Sequence, residues 1–543
     1  MHAAGHRFGK RRALTMGMRP LQWMIAALVL VLLLGTVAAA ASAAGERAQV
    51  IVGYRGSLES ASRVIQGYGG SVSIAYRNIP ALAADVPARA VGAIASAAGI
   101  EYVERVQTRQ LTTHILPGKV WAGTPEIVPW GVDKVGAPSA WGTTRGDGVR
   151  VAVLDTGIDA THPDLAGNLD AAASYDFIDM DSDPSDIPGP YQGHGTLTSG
   201  NIAAIDNDVG VVGVAPESTI VFFRVCEALE GNCFTDAIVA GIDAAIDADA
   251  DVISMSFGGS AASIGERRII RAAWNAGIVL VASSGNAGRP PVNFPAALRE
   301  VIAVGATDSD DMLADFSSFG YDQELVAPGV DVPSTFIRGL GRDSMTLELS
   351  PTARELGAIP MAFTAATDED GITADLVFAG LGTAADFAAV DASGKIALIE
   401  RGSLTFKDKV ANAAADGALA AIVYNNVAGG FSGTLQTLST IPGLSLSREE
   451  GLSLRAELDG GATVSLSLKV AISDYEPASG TSFSAPHVSG VAALVIAADP
   501  SLANWQVRMI LDMTAKDLGA SGYDRTFGFG RVDAAAAVAA AAP

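Results

Sequence analysis

Four side chains in this sequence are of the types that cleave acyl bonds, and each lies at a point where the chain turns. Asp155 ends the apolar run VRVAVLD, His194 lies between two glycines in YQGHGTLTSG, Asn286 follows LVASSG, and Ser482 opens the helical pattern SGTSFSAPH. A serine hydroxyl is a poor nucleophile at neutral pH until a base takes its proton. Histidine can be that base, an aspartate can fix its tautomer, and an amide can donate to the developing oxyanion.

Taken singly, each residue has a structural interpretation as a turn cap, a packed histidine, a turn amide or a helix N-cap. Taken together, the order Asp, His, Ser in DTGID, GHGT and GTSFSAPH resembles the subtilisin-like serine proteases over about residues 129–335 and 473–543. The resemblance implies that Asp155 orients His194, the general base, and that Ser482 is the nucleophile. It also implies an oxyanion hole made by Asn286 and the backbone N–H of Ser482.

The elements that must hold these residues follow a regular alternation from Val149 onward. Short, nearly continuous apolar runs such as TIVFFRVC and ADVISMSFGG alternate with alanine-rich helical stretches such as TDAIVAGIDAAIDADA. This alternation predicts an α/β fold with a doubly wound parallel sheet covered on both faces. Sites in such sheets lie at the carboxyl ends of the strands, where Asp155, Ser256 and Asn286 are found.

The first 44 residues have the composition of an export signal. Five basic residues and no acid are followed by an apolar run and then by small residues near Ala44. Cleavage of this signal takes the formal net charge from −23 to −28. An uncleaved membrane anchor is the alternative interpretation of the segment. The Arg11-Arg12 pair leaves open whether export uses the general or the twin-arginine route. We expect a secreted protein because of this signal. The acidic body that remains disfavours binding to nucleic acids and to anionic membranes.

The rest of the chain divides into four segments. Residues 45–113 form a small α+β unit that resembles the family's inhibitory propeptide, with maturation near Gln110 to His114. The catalytic domain takes residues 114–335 and 473–543. Between them, residues 336–472 have a different, β-rich pattern that resembles a protease-associated domain. Its implied role is substrate access or docking, and a passive spacer is the alternative.

The resemblance also implies a cleft in which an extended peptide adds a β-strand. Asn293 is placed at the base of the primary pocket, where many members carry glycine, so the depth of that pocket is open. The two walls of the pocket are Ser256, Phe257, Gly258 and Gly259 on one side and Ser283, Ser284 and Gly285 on the other.

The two cysteines of the chain, Cys226 and Cys233, lie close together in CEALEGNC. After an export signal, such a pair predicts a local disulfide, whereas two thiolates without a neighbouring histidine make only half a zinc site. The disulfide should hold the rim of the cleft, with Phe234 as an apolar wall several residues before the scissile bond.

Two segments are candidates for structural calcium, an ion that prefers many oxygen ligands. The stretch AIDNDVGVVGVAP resembles the family's calcium loop, and the resemblance implies as ligands Asp164, Asn207 and the carbonyls of Ile205, Val209 and Val211. The acidic stretch YDFIDMDSDPSD resembles a second site, with the candidate ligands Asp176, Asp179, Asp181 and Asp183. A solvated acidic loop is the alternative there.

The sequence therefore predicts a secreted, calcium-stabilised serine endopeptidase that hydrolyses proteins or peptides and is made as a self-processed zymogen inhibited by its own propeptide. After signal cleavage we expect neither a membrane nor a nucleic acid as partner. Two alternatives remain: a catalytically silent protein that binds through the inserted domain, and an acyl-transfer enzyme acting on non-peptide esters.

Overall fold

The computed structural model describes residues 46–113, 126–187, 189, 191–350, 353–431 and 433–542. The predicted signal peptide, residues 1–44, lies outside the described residues, as do residues 114–125 of the linker.

The N-terminal unit is a four-stranded antiparallel sheet covered by helices, in the order β2-β3-β1-β4. Its first helix begins at Leu58 because the Ser57 hydroxyl accepts the N–H of Ser60. A fifth strand, β5, leaves this sheet and extends toward the rest of the molecule. The elements are β1 (Arg47–Tyr54), α1 (Leu58–Gly67), β2 (Ser71–Ala75), β3 (Ala81–Pro87), α2 (Val91–Ala95), β4 (Ile100–Arg105) and β5 (Thr108–Leu111).

The second unit contains a seven-stranded sheet in which all neighbours are parallel, in the order β14-β13-β12-β10-β6-β8-β7. Its elements before the insertion are α3 (Trp130–Lys134), α4 (Ala137–Ala140), β6 (Arg150–Asp155), β7 (Tyr175–Asp176), α5 (His194–Ala203), β8 (Thr219–Arg224), β9 (Asn232–Phe234), α6 (Thr235–Asp247), β10 (Val252–Met255), β11 (Phe257–Gly258), α7 (Ile264–Asn275), β12 (Val279–Ser283), β13 (Ile302–Thr307), β14 (Leu325–Pro328) and β15 (Val332–Thr335).

An insertion leaves after β15 and forms a mixed eight-stranded sheet with its own hydrophobic cores, in the order β17-β16-β23-β19-β20-β21-β22-β18. Its elements are β16 (Gly341–Ser350), β17 (Arg354–Glu355), β18 (Ile359–Pro360), β19 (Ile372–Phe378), α8 (Ala384–Phe387), β20 (Ile396–Glu400), α9 (Phe406–Ala415), β21 (Ala420–Tyr424), β22 (Gly443–Leu446), α10 (Arg448–Asp459) and β23 (Ser465–Ser473).

The chain returns to the second unit through β24 (Tyr475–Ala478), which pairs with β15 in antiparallel register. It then forms α11 (Thr481–Ala498), α12 (Asn504–Thr514) and α13 (Ala534–Ala541). By length and composition alone α11 could cross a bilayer, but 83% of it is buried inside the fold. It is the central core helix of this unit.

Both faces of the parallel sheet are covered by helices, which explains why its strands are continuous apolar runs. Val151 and Val153 point into the core that includes α11, whereas Ala152 and Leu154 point into the core that includes α6 and α7. The doubly wound α/β architecture predicted from the sequence is therefore confirmed. Its strands β6, β10 and β12 end side by side, immediately before or at the residues of the candidate site.

Candidate active site

Asp155 and His194 meet where the end of β6 contacts the beginning of α5. The Nδ1 atom of His194 lies 2.6 Å from Oδ1 of Asp155, and both side chains are buried. The approach requires glycine at position 195, because a Cβ there would overlap the ring of Phe222 at 2.6 Å. This contact can fix the tautomer of the imidazole and leave Nε2 free to act as a base.

Two threonines that the sequence analysis missed complete the hydrogen bonds of the Asp155 carboxylate. Oδ1 accepts the backbone N–H of Thr156 at 2.7 Å, and Oδ2 accepts the Thr198 hydroxyl at 3.2 Å. The carboxylate is thus held in one orientation toward the histidine. The spacing of Thr198, four residues after His194 on α5, is the only sequence signal that could have indicated its role.

Ser482 lies in the first turn of α11, at the positive end of that helix. The preceding Gly480 has φ 145° and ψ 158°, a region of backbone conformation that is essentially restricted to glycine. The Ser482 hydroxyl donates to the carbonyl of Ser256 at 2.9 Å. Nε2 of His194 is buried and has no hydrogen-bond partner among the described residues, so rotation of the serine side chain must precede proton transfer.

Two amide groups, the backbone N–H of Ser482 and the side chain of Asn286, lie together at the N-terminus of α11. The backbone N–H of Ser482 donates to the carbonyl oxygen of Thr112 at 3.1 Å. Oδ1 of Asn286 accepts both the N–H and the hydroxyl of Thr481, at 3.1 and 2.9 Å. Thr481 therefore orients the carboxamide so that Nδ2 is the remaining donor, and Nδ2 is buried without a hydrogen-bond partner in the part of the chain that the structure describes.

The tail of the N-terminal unit occupies the cleft beside these groups. Strand β5 lies between β11 and β9 and pairs with both in antiparallel register. The backbone N–H of Leu111 donates to Gly231, and that of Thr112 donates to Ser256, both at 3.2 Å. The tail is thus bound as an extended peptide, with the Thr112 carbonyl next to Ser482.

Asn293 lies against glycines of both predicted walls of the primary pocket. A Cβ at Gly258 would meet Cβ of Asn293 at 2.8 Å, and one at Gly285 would meet Nδ2 of Asn293 at 2.6 Å. The Thr112 hydroxyl lies 2.5 Å from the Ser283 hydroxyl. The structure thus places Asn293 between the two predicted walls.

The other predicted residues of the cleft contribute in different ways. Phe257 and Gly258 pair through their backbones with the tail, and Gly259 lies under the side chain of Arg109. The Ser284 hydroxyl donates to the carbonyl of Ser318 at 2.9 Å, so this hydroxyl is bonded within the catalytic unit.

The predicted disulfide between Cys226 and Cys233 is present. Both cysteines are fully buried, and the loop that they close includes Gly231, which accepts a hydrogen bond from the tail. The backbone of Phe234 pairs with Thr108, while its half-buried ring packs against the core that includes α6. The disulfide therefore supports one side of the cleft.

The first predicted calcium loop contains a buried carboxylate that accepts hydrogen bonds from two N–H groups. Asp164 accepts the side-chain amide of Asn207 and the backbone N–H of Val211, both at 3.1 Å. Burial raises the pKa of Asp164. In addition, Glu126, which the sequence analysis missed, accepts the N–H of Asn207 at 2.8 Å. No group of three acidic, His or Cys side chains suited to a metal occurs in the described ranges. A calcium ion at this loop would need backbone carbonyls for most of its ligands.

In the second predicted calcium loop an arginine side chain occupies the place between Asp176 and Asp179, where a calcium ion was predicted. The guanidinium of Arg224 contacts both Asp176 and Asp179, and Asp176 also accepts the N–H groups of residues 178 and 179. Asp181 and Asp183 accept backbone N–H groups of their own loop. Hydrogen bonds and an ion pair thus account for the fold of this acidic loop.

Asp186 is a further titratable group near the catalytic pair. It accepts the backbone N–H of Gly193, just before His194; the residue is half-buried, and its Oδ1 atom is shielded from solvent. Burial, together with the charge of Asp155, raises the pKa of Asp186 to about 7. The charge on this carboxyl therefore changes within the pH range in which a histidine base operates.

Comparison with known protein families gives two matches. The Subtilase family matches residues 146–357 and 431–530, which together exceed half of the chain. The PA domain matches residues 372–454, within the insertion.

Individual relatives agree with these matches. Thermitase from Thermoactinomyces vulgaris is 39% identical over 38% of this chain and 72% of its own length. The minor extracellular protease Vpr from Bacillus subtilis (strain 168) is 29% identical over 71% of this chain and 50% of its own. The solved structure of the psychrophilic subtilisin-like protease Apa1 from the Antarctic psychrotroph Pseudoalteromonas sp. AS-11 aligns with a TM-score of 0.50 and 29% identity, over 76% of this chain and 98% of that one.

Proposed function

The chain belongs to the subtilase family and is a serine endopeptidase with an inserted protease-associated domain, and we propose that Asp155, His194 and Ser482 are its catalytic triad. We further propose that it is a secreted enzyme that hydrolyses peptide bonds in proteins and that the first bond it cleaves is its own, between Thr112 and Thr113.

One observation carries this proposal: the carbonyl of Thr112 lies at the N-terminus of α11 and accepts the N–H of Ser482. This is the position that the carbonyl of a scissile bond takes in acyl transfer, because the donors are then aligned with the oxygen on which charge develops. The extended pairing of β5 on both sides fixes the register of the peptide.

The mechanism follows from the groups around that carbonyl. The Ser482 hydroxyl turns from Ser256 toward Nε2 of His194, which takes its proton as oxygen attacks the carbon of Thr112. The N–H of Ser482 and Nδ2 of Asn286 stabilise the oxyanion. The imidazolium, held by Asp155, then protonates the leaving amine of Thr113, and water hydrolyses the acyl-enzyme by the same steps in reverse.

The N-terminal unit is proposed to remain as an inhibitor after cleavage, because contacts outside the cleft bind it as well. Glu104 accepts the N–H groups of Ile264 and Gly265, at 2.8 and 2.7 Å, at the beginning of α7. Negative charge is favourable at that end of a helix. In turn, Asp243 of the catalytic unit accepts the N–H groups of residues 77 and 78, both at 2.8 Å. Release therefore requires more than cutting one bond.

We propose that the first predicted loop binds structural calcium. Its ligands would be the side chains of Asp164 and Asn207 and the carbonyls of Ile205, Val209 and Val211. A bound divalent cation would offset the burial of the Asp164 carboxylate and stabilise the folded loop. Secretion is proposed because Vpr is named as an extracellular protease and because a disulfide persists in oxidising compartments.

Labelling with an active-serine phosphonate, combined with peptide hydrolysis, tests this function. Wild-type enzyme should be labelled at Ser482 and should cleave protein substrates, and Ser482→Ala should do neither. A properly folded wild type that is not labelled would support a silent binding protein instead. Turnover of small esters without cleavage of any peptide would support an esterase.

A further inference from the structure

A buried ion pair joins the tail in the cleft to the catalytic unit. Nε of Arg109 donates to Oε1 of Glu266 at 2.9 Å, and Nη2 donates to Oε2. The two residues are only 3% and 1% exposed. An arginine and a carboxylate bound through two parallel hydrogen bonds form a strong and geometrically selective contact.

The two partners belong to parts of the protein with different fates. Glu266 lies in the first turn of α7 and stays with the catalytic unit. Arg109 lies on β5, three residues before Thr112, and leaves with the N-terminal unit. Its side chain crosses Gly259, where a Cβ would lie 2.8 Å from Cδ of the arginine. The glycine thus opens the path from the cleft to Glu266.

The side chain of Glu266 caps the N-terminus of α7, but this role uses only one of its two carboxylate oxygens. Its Oε2 atom accepts the N–H of Ser263 at 2.7 Å, and its own N–H donates to the Ser263 hydroxyl at 3.1 Å, as in a capping box. A capping box needs no cation, and Oε1 of Glu266 is bonded to Arg109 instead. When the tail leaves, a carboxylate recessed beside the cleft loses its counter-charge, which is unfavourable.

We propose that Glu266 selects substrates that carry arginine three residues before the residue whose carbonyl is attacked. This inference rests on the proposed protease function and on the register of the bound tail. Arginine is favoured over lysine because its planar fork matches both carboxylate oxygens, whereas an ammonium is a single point charge.

Other acidic residues near the cleft are placed differently. Glu227 and Glu230 on the disulfide loop both accept the side-chain amide of Asn232, at 2.8 and 2.9 Å. Glu230 is exposed, so water screens its charge. Neither residue contacts Arg109, so neither specifies the charge at that position of the peptide. They therefore provide matched controls for the removal of a negative charge.

The first test uses wild-type enzyme and needs no variant. Two internally quenched peptides share the sequence of residues 108–113, TRQLTT, and differ only at the second position, which is arginine in one and citrulline in the other. Citrulline keeps the shape of arginine and lacks its charge. We expect kcat/KM to be about 10- to 100-fold higher for the arginine peptide. In the complex with the citrulline peptide, the buried carboxylate of Glu266 lacks its positive partner. A lysine peptide should fall between the two.

The second test compares Glu266→Gln with Glu230→Gln on the same peptides. The ratio of kcat/KM values should fall to within about threefold of one in Glu266→Gln, since the charge that distinguishes the peptides is gone. Glu230→Gln should keep the wild-type ratio.

Equal hydrolysis of both peptides by wild type, or an undiminished ratio in Glu266→Gln, would overturn the inference and leave the protease function standing. Failure of wild type to hydrolyse any peptide would overturn both.

Discussion

Opening the disulfide should weaken the binding of long peptides more than it weakens the catalytic chemistry. In the double variant Cys226→Ser/Cys233→Ser, the loop between the two positions is no longer closed. Residues 231–234 of this segment bind the backbone of the tail through Gly231 and through β9. A substrate that uses the same pairing must then order the loop itself, which reduces the free energy available for binding.

The expected magnitude follows from the length of the loop. The cysteines are seven positions apart, and the loss of chain entropy on closing so short a loop corresponds to about 2.4 kcal/mol. This is an upper bound on the loss of global stability. If about 1.4 kcal/mol of it, somewhat more than half, must be supplied when a peptide binds, kcat/KM falls about tenfold.

The assay compares an internally quenched peptide of residues 108–113 with a small ester that does not reach the disulfide loop. The double variant should lose about tenfold on the peptide and less than about twofold on the ester. Leu229→Ala, which truncates an exposed side chain on the same loop and leaves the disulfide intact, serves as the control. Peptide kinetics equal to wild type, or titration of two free thiols in the wild-type protein, would refute the reasoning.

Three further predictions concern the oxyanion donor, Asp186 and calcium. Asn286→Ala should lower kcat by about 10²–10³ with little change in KM, the loss that is known for the corresponding amide of subtilisin; a loss confined to KM would contradict this role. The Asp186→Asn variant is measured by unfolding in the inactive Ser482→Ala background, which serves as its parent. As the pH rises from 3.8 through about 7, the variant should gain stability relative to the parent, because the folded parent favours the protonated Asp186 and must release the proton. A pH-independent difference in the free energy of unfolding would exclude this titration. Excess chelator should lower the melting temperature of the Ser482→Ala protein and leave that of Asp164→Asn, made in the same background, unchanged. Equal melting curves of the Ser482→Ala protein with calcium and with chelator would rule out the calcium site.

The sequence predicted the α/β architecture and the way in which the chain brings its candidate residues together, because both depend on local patterns. Continuous apolar strands indicate a parallel sheet covered on both faces. Such a sheet brings Asp155, Ser256 and Asn286 together at the carboxyl ends of its strands. The disulfide was predicted for a similar reason, since the two cysteines are close in the sequence and follow an export signal.

Contacts between distant segments could not be predicted in the same way. Arg109 and Glu266 are 157 positions apart, and locally Glu266 is indistinguishable from an ordinary third residue of a helix with a serine cap. The acidic loop shows the opposite problem. Its four aspartates have the composition of a calcium site, and only the fold reveals that Arg224, on a neighbouring strand, pairs with two of them.

The central claim is that Ser482 attacks the carbonyl of Thr112, and the intact masses of the two fragments of the protein test it most directly. The full chain is expressed in a host that lacks other proteases, and the fragments are separated under denaturing conditions and weighed. The account predicts that the wild-type N-terminal fragment ends at Thr112 and that the larger fragment begins at Thr113, while Ser482→Ala remains one chain. A cut at another bond in the wild type, or the same two fragments from Ser482→Ala, would contradict it.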